Sequence, residues 1–180
     1  MRLFAGIELD APARAHCVRI QDGLRQASFD AAYEAPEKFH LTLAFLGNVP
    51  DARAGEVTGV LDAAATASAA FDLELDRLSA FPNERRPRIV YVGSRRPSAA
   101  FRALSRTLRC GYAGLGFSFS DDPVAHVTVA RVKGGSPRPL PLFDAGAYVM
   151  RVHRIALFES LPGEGTTRYD IRALRPLQPL

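Results

Sequence analysis

Two short segments of this 180-residue chain share a pattern that could carry chemistry. Residues 40–43 read His-Leu-Thr-Leu, and residues 126–129 read His-Val-Thr-Val. Successive side chains of a β-strand point to opposite faces, so the histidine and threonine of each segment would share one face. The intervening leucines and valines would share the other face. We therefore predict two strands, each with a core face and a face that presents an imidazole beside a hydroxyl.

A single strand of this kind usually carries a surface or structurally satisfied histidine with no catalytic role. Here the pattern occurs twice among four histidines. The duplication favours one site that is shared between two halves of the chain.

Two imidazoles and two hydroxyls suit the in-line opening of a cyclic phosphate. One imidazole would take a proton from water, and the other would protonate the departing sugar oxygen on the far side of the phosphorus. An ordinary histidine pKa of about 6.5 permits both tasks near neutral pH. The hydroxyls would donate to non-bridging oxygens and stabilise the charge of the transition state. This chemistry requires neither a metal nor a covalent intermediate.

Metal binding is the main alternative role for paired histidines. Catalytic zinc sites usually take three protein ligands, and neither segment has a carboxylate in phase with its histidine. Asp121 and Asp122 precede His126 by at least four residues. The sequence also has no phosphate-binding loop of the GxxxxGK[ST] type, which argues against ATP use. We therefore expect no metal site and no cofactor.

The composition is that of a globular protein of ordinary size. Hydrophobic residues make up 47% and charged residues 23%, and no apolar run approaches the roughly 20 residues that cross a bilayer. Glu8 and Asp10 come too early for a signal peptide. We expect a single domain over residues 1–180, located in the cytoplasm and without membrane contact. The net charge of +4 rests mainly on arginine, whose planar fork suits phosphate, and so weakly favours an anionic partner.

The two segments lie in an alternation of strands and helices. Strands are predicted at residues 2–8, 39–46, 71–75, 89–92, 125–132, 148–159 and 169–174, helices at 11–27, 52–69 and 98–113, and turn-rich stretches at 134–141 and 162–167. Asp10 and Ser98 are expected N-caps. The order suggests two similar strand–helix–strand halves. The predicted fold is α+β, with two small antiparallel sheets facing a central cleft and helices outside.

The duplicated motif resembles that of the 2H phosphoesterase superfamily. Further stretches are similar to its bacterial RNA 2',3'-cyclic phosphodiesterase branch, the LigT-like proteins: MRLFAGIEL, FHLTLAFLGNV, FPNERRPRIVYVG, AHVTVARV and IALFESLPGEGTTRY. The resemblance implies a bilobal α+β fold with both histidine strands along a central groove. It also implies metal-independent hydrolysis of a 2',3'-cyclic phosphate, on RNA or a nucleotide, to a 2'-phosphomonoester. The reverse reaction would be 2'–5' RNA ligation.

The resemblance assigns a role to each motif residue. His40 would be the proton donor to the leaving 3'-oxygen, and His126 would be the proton acceptor that activates water. Thr42 and Thr128 would bind the phosphate. The near symmetry of the motifs leaves the choice of acid and base open from sequence alone. Arg131 is a further candidate for phosphate binding, although strict alternation would turn it away from Thr128.

The sequence departs from the family pattern just before each motif. Lys38 stands where the family commonly has asparagine, and Pro123 is separated from the second histidine by two residues. Both departures concern the local loop geometry.

Other functions and contacts remain open at this point. The chain could be a 2H enzyme for another cyclic phosphate, such as ADP-ribose 1'',2''-cyclic phosphate, or an RNA-binding module without turnover. No protein partner is implied, and we expect a monomer. Phe45 and Tyr91 could stack on a base or pack in the core, and Arg85, Arg86 and Arg88 could be a solvated loop.

Overall fold

A computed structural model describes residues 1–134, 138–163 and 167–179. The helices are α1 (Ala11–Gln26), α2 (Ala54–Thr66) and α3 (Ala99–Gly114), with short 3-10 turns at Pro36–Lys38 and Asp51–Arg53. The strands are β1 (Arg2–Glu8), β2 (Ala32–Tyr33), β3 (His40–Asn48), β4 (Phe71–Leu75), β5 (Arg77–Phe81), β6 (Ile89–Gly93), β7 (His126–Arg131), β8 (Tyr148–Val152), β9 (Arg154–Pro162) and β10 (Thr167–Pro176). Parts of the two predicted turn stretches, residues 135–137 and 164–166, lie outside the described residues.

Helices α1 and α3 begin where the sequence predicts, whereas α2 begins at Ala54 and not at residue 52. The Asp10 carboxylate accepts a hydrogen bond from the Ala13 amide at 2.7 Å, and Ser98 Oγ accepts one from the Phe101 amide at 3.2 Å. Each bond satisfies an amide that the first helical turn leaves without a backbone partner. No helix in the described ranges is both long and apolar enough to cross a membrane.

One antiparallel sheet forms the centre of the molecule. Seven of its strands follow the order β10-β9-β1-β3-β7-β6-β5, β2 pairs with β7, and β4 and β8 form a separate two-stranded sheet. The units β1-α1-β3 and β6-α3-β7 are the two halves that the sequence suggests. They meet where β3 pairs with β7 through Leu41 and Val127. The two small sheets expected from the sequence are thus the two halves of one sheet.

The main core lies between the helices and one face of this sheet. Leu41, Leu43, Val127 and Val129 are fully buried on that face, as the alternation in both motifs predicts. Helix α3 packs against β3, and helix α1 packs against β7. Each of these helices therefore lies on the central strand of the other half.

The strands differ from the prediction in three places. The single strand expected at residues 148–159 is broken at His153, because β8 pairs with β4 whereas β9 pairs with β1. Strands β2 and β5 were not predicted; β2 pairs with β7, and β5 forms a hairpin with β6. These differences depend on which strands pair, and the local pattern of side chains does not indicate that choice.

Candidate active site

One antiparallel residue pair brings the two motifs together. Leu41 pairs with Val127, and both side chains point into the core. Residues on either side of an antiparallel pair face each other crosswise, so the histidine of each motif lies next to the threonine of the other. His40, Thr42, His126 and Thr128 all line one cleft of about 330 Å³. This volume is within the usual range for small-ligand sites.

Each imidazole is held by the same kind of hydrogen bond, between its Nδ1 and a backbone carbonyl oxygen. His40 Nδ1 lies 2.6 Å from the Lys38 carbonyl oxygen, and His126 Nδ1 lies 2.9 Å from the Val124 carbonyl oxygen. Since a carbonyl oxygen accepts, each Nδ1 carries the proton and donates it to this bond. Each Nε2 is left to exchange a proton in the cleft. The residues that depart from the family pattern thus supply equivalent backbone contacts in both halves.

A pair of stacked aromatic rings packs against each imidazole. Phe4 and Phe158 stack with their centroids 4.9 Å apart and lie 4.8 and 5.9 Å from the His40 ring. Phe81 and Tyr91 stack at 4.5 Å and lie 5.2 and 5.6 Å from the second imidazole. The aromatic rings restrict the orientation of both imidazoles and exclude water from one side. Tyr91 packs against the His126 imidazole and is not among the described residues that line the cleft.

Burial lowers the pKa of both histidines below the ordinary value of 6.5. For His40, the Lys38 carbonyl opposes this shift, and the nearby imidazole of His126 adds to it. For His126, the Val124 carbonyl opposes the shift, and the positive charge of Arg131 adds to it. Desolvation is the largest cause in both cases because it penalises the charged imidazolium.

Arg131 faces the same cleft as the motif threonines. Between Thr128 and Ala130, β7 has one residue more than its partner β6. This β-bulge shifts the alternation of side chains by one residue, so strict alternation does not hold and Arg131 lies on the cleft face, as its predicted role in phosphate binding requires. Arg131 Nε donates to Glu34 Oε1 at 2.8 Å. That bond orients the guanidinium and does not use its two terminal nitrogens.

Strand β3 has a bulge at the equivalent position. Between Thr42 and Ala44 it has one residue more than β1. Phe45 consequently lines the cleft, with 49% of its side chain exposed, and the Arg2 guanidinium lies 5.2 Å from its ring centroid. The two halves therefore place an aromatic ring and a guanidinium at matching positions.

Several cleft residues could not be identified as site residues from the sequence. Glu34 carries no local signal, because its role depends on Arg131, which lies far away in sequence. Tyr169 belongs to the C-terminal stretch that resembles the family, and its ring lies 5.0 Å from the His40 ring, edge to face. Among the described residues, the charged side chains that line the cleft are Arg2, Glu34, Lys38 and Arg131. Their sum is positive, which suits an anionic ligand.

The other two histidines lie away from the cleft. His16 is buried in α1, and His153 is exposed between β8 and β9. Within the described ranges, no three His, Cys, Asp or Glu side chains are grouped closely enough to hold a metal ion.

Comparison with known proteins identifies the family. Residues 7–91 match the sequence profile of the LigT like phosphoesterases. The RNA 2',3'-cyclic phosphodiesterase of Methanothermobacter thermautotrophicus is 34% identical over 134 residues, which cover 74% of this chain and 72% of that protein. The chain belongs to the LigT-like phosphoesterase family.

Two solved structures have the same fold as this LigT-like phosphoesterase. The TT0787 protein of Thermus thermophilus matches with a TM-score of 0.85 and 27% identity over 99% of both chains. E. coli LigT complexed with 3'-AMP matches with a TM-score of 0.76 and 27% identity over 98% of this chain and 97% of that chain. The α+β fold expected from the sequence is confirmed.

Proposed function

We propose that this LigT-like phosphoesterase hydrolyses a 2',3'-cyclic phosphate, at the end of RNA or on a nucleotide, to a 2'-phosphomonoester. One observation carries the proposal: two imidazoles, each with Nδ1 bound to a carbonyl, present Nε2 to a single cleft beside two hydroxyls. Relatives named RNA 2',3'-cyclic phosphodiesterase support the substrate class. The complex of E. coli LigT with 3'-AMP is consistent with a nucleotide ligand.

The reaction is an in-line displacement at phosphorus. His126 Nε2 accepts a proton from water as the water oxygen bonds to phosphorus. The bond from phosphorus to the 3'-oxygen breaks, and His40 Nε2–H gives its proton to that oxygen. The phosphate stays on the 2'-oxygen. One imidazole gains a proton and the other loses one, so exchange with solvent restores the starting state.

The remaining cleft residues stabilise the phosphate. Thr42 and Thr128 hydroxyls donate to the non-bridging oxygens, and the terminal nitrogens of Arg131 bind the same oxygens through its planar fork. Glu34 keeps that fork in place through Arg131 Nε. The orientation is set before the substrate arrives, so little rearrangement is needed during the reaction.

The acid and base assignment follows the family resemblance, because both halves hold their imidazoles by the same contact from Nδ1 to a backbone carbonyl oxygen. If an RNA 5'-hydroxyl replaced the water, the same steps would form a 2'–5' phosphodiester bond. The monomeric state and the cytoplasmic location stay predictions.

The deciding experiment is hydrolysis of 2',3'-cyclic AMP in EDTA, with separation of 2'-AMP from 3'-AMP. We expect 2'-AMP, with kcat reduced at least about 100-fold in His40→Ala and in His126→Ala, because each variant lacks one proton-transfer group. His153→Ala is the matched control and should keep wild-type turnover, since this histidine is exposed outside the cleft.

Other products would contradict parts of the proposal. Accumulation of 3'-AMP would reverse the leaving group. Turnover of ADP-ribose 1'',2''-cyclic phosphate in place of cyclic AMP and cyclic-ended RNA would change the substrate class. Binding of RNA without turnover of any of these compounds would make the chain an RNA-binding module.

A further inference from the structure

The hairpin loop between β5 and β6, residues 82–88, presents three arginines to solvent. Arg85, Arg86 and Arg88 are exposed. Among the described residues, none of their guanidinium groups has an ion-pair or hydrogen-bond partner. This distinguishes them from Arg131 and Arg151, which pair with carboxylates. We refer to residues 82–88 as the arginine loop.

The arginine loop is held in place by its own polar groups. Asn83 Oδ1 accepts hydrogen bonds from the amides of Arg85 and Arg86 at 3.1 and 3.0 Å. The carboxylate of Glu84 accepts from Ser79 Oγ at 2.8 Å, and this bond is the largest cause of the lowered pKa of Glu84. The loop's acidic group is therefore occupied by β5 and does not neutralise the arginines.

The arginine loop begins where the active-site cleft ends. Ile89, the first residue of β6, lines the cleft and pairs with Arg131. The Arg88 carbonyl accepts from the Val132 amide at 2.9 Å, directly beyond that pair. With about 3.3 Å per strand residue, and one residue taken up by the bulge, this point is roughly 10 Å from Thr128. A chain bound at the phosphate site can reach the loop within a few nucleotides.

At the other end of the cleft, the described charged side chains neutralise each other. There a second cleft of about 270 Å³ shares Phe45 and His126 with the first and is lined by Asp121. The guanidinium of Arg109 in this cleft is already bound to the Asp121 carboxylate at 3.1 Å. A phosphodiester backbone is therefore attracted to the arginine end and not to this one.

We propose that the arginine loop binds the phosphate backbone of the RNA nucleotides that precede the terminal cyclic phosphate. The proposal rests on the proposed function, because it takes the 2',3'-cyclic phosphate to lie between His40 and His126. Guanidinium contacts to phosphate carry no base information, so the loop increases affinity for RNA of any sequence. It makes RNA a better substrate than a cyclic mononucleotide.

The test compares two substrates in two double variants. Arg85→Gln/Arg86→Gln removes two charges from the loop. Arg96→Gln/Arg106→Gln removes the same charge from exposed positions, in the segment before α3 and on α3 itself, in the helical layer behind the sheet. The substrates are 2',3'-cyclic AMP and an RNA pentamer that ends in a 2',3'-cyclic phosphate. For each protein, kcat/KM is measured at several salt concentrations.

For the wild type we expect kcat/KM to be higher for the pentamer than for cyclic AMP at low salt. The loop variant should lose about five- to tenfold on the pentamer and stay within about twofold on cyclic AMP. Its slope of log kcat/KM against log salt should become shallower by about 1.4, since each lost phosphate contact on single strands removes about 0.7. The control variant should retain the wild-type preference and slope.

Equal kcat/KM for the two substrates in the wild type would overturn the inference, and so would an equal loss in the control variant. A loop variant that keeps its full rate on the pentamer would also overturn it. None of these outcomes contradicts the proposed function. That function would be contradicted if the wild type turned over neither substrate.

Discussion

Burial of two neighbouring imidazoles determines the pH at which the site can work. One imidazole must be neutral to accept a proton, and the other must be charged to donate one. Both pKa values lie below 6.5, chiefly because burial disfavours the imidazolium. As the pH rises through these lowered values, the proton donor loses its proton. As the pH falls through them, the proton acceptor becomes protonated.

We therefore expect kcat/KM for 2',3'-cyclic AMP to give a bell-shaped pH profile with its maximum below about pH 6.5. Arg131 lowers the pKa of both histidines, so Arg131→Gln should move both limbs to higher pH in addition to lowering the maximum. Arg151→Gln is the matched control, because Arg151 pairs with Asp72 in the separate two-stranded sheet. A flat profile between about pH 5 and 8, with proton transfer shown to limit the rate, would contradict the paired-histidine mechanism.

The two β-bulges are the elements that complete the cleft. Each lies immediately after a motif threonine and turns a residue five positions after the histidine toward the cleft. In β3 this residue is Phe45, and in β7 it is Arg131. The same kind of element thus places an aromatic ring in the cleft in one half and a guanidinium in the other.

Phe45→Ala tests the role of the first bulge. Removing the ring should raise KM for 2',3'-cyclic AMP about tenfold and change kcat less, since stacking of a base on an aromatic ring is worth about 1–3 kcal/mol. Val149→Ala is the control, because Val149 has a similar exposure of 53% on β8, outside the cleft. An unchanged KM in Phe45→Ala would show that the base binds elsewhere.

The sequence predicts the motif residues well because His and Thr are only two positions apart. Alternation over that distance is a local property, so His40 with Thr42 and His126 with Thr128 share one face as expected. Arg131 lies beyond the bulge, and a bulge depends on how two strands pair. Leucine or valine is compatible with the bulged position and with a regular one. The pairing of Glu34 with Arg131 is likewise invisible in the local pattern.

The difference between local sequence patterns and strand pairing also explains which helices and strands were predicted correctly. The starts of α1 and α3 depend on a capping side chain within three residues, and both predictions are confirmed. The break at His153 depends on β8 and β9 joining different sheets. The side-chain pattern of residues 148–159 does not indicate that change of pairing strand.

For the molecule as a whole, each half supplies a helix and a polar side chain to the other. The bulged residues are Leu43 and Val129, and a bulge takes a backbone group out of the regular ladder. Ser105 Oγ on α3 donates to the Leu43 carbonyl at 2.6 Å. Gln21 Nε2 on α1 donates to the Val129 carbonyl at 2.8 Å. Each helix thus donates a hydrogen bond to the carbonyl of the bulged residue in the half to which the helix does not belong.

This interlocking implies that the two halves unfold together. Neither central strand would keep its helix if the other half unfolded, since α1 packs on β7 and α3 packs on β3. We expect urea unfolding followed by far-ultraviolet circular dichroism and by tyrosine fluorescence to give one coincident transition. Two separated transitions would contradict the single domain predicted for residues 1–180.

Gln21→Met should lower the free energy of unfolding by about 1–3 kcal/mol without separating the two probes, because it removes a buried donor from the Val129 and Glu34 carbonyls. Gln26→Met is the matched control on the exposed end of α1 and should stay within about 0.5 kcal/mol of the wild type. If both variants had wild-type stability, the bond from Gln21 would not hold the halves together. If Gln21→Met separated the transitions, the halves would be independent units joined mainly through the pair Leu41–Val127.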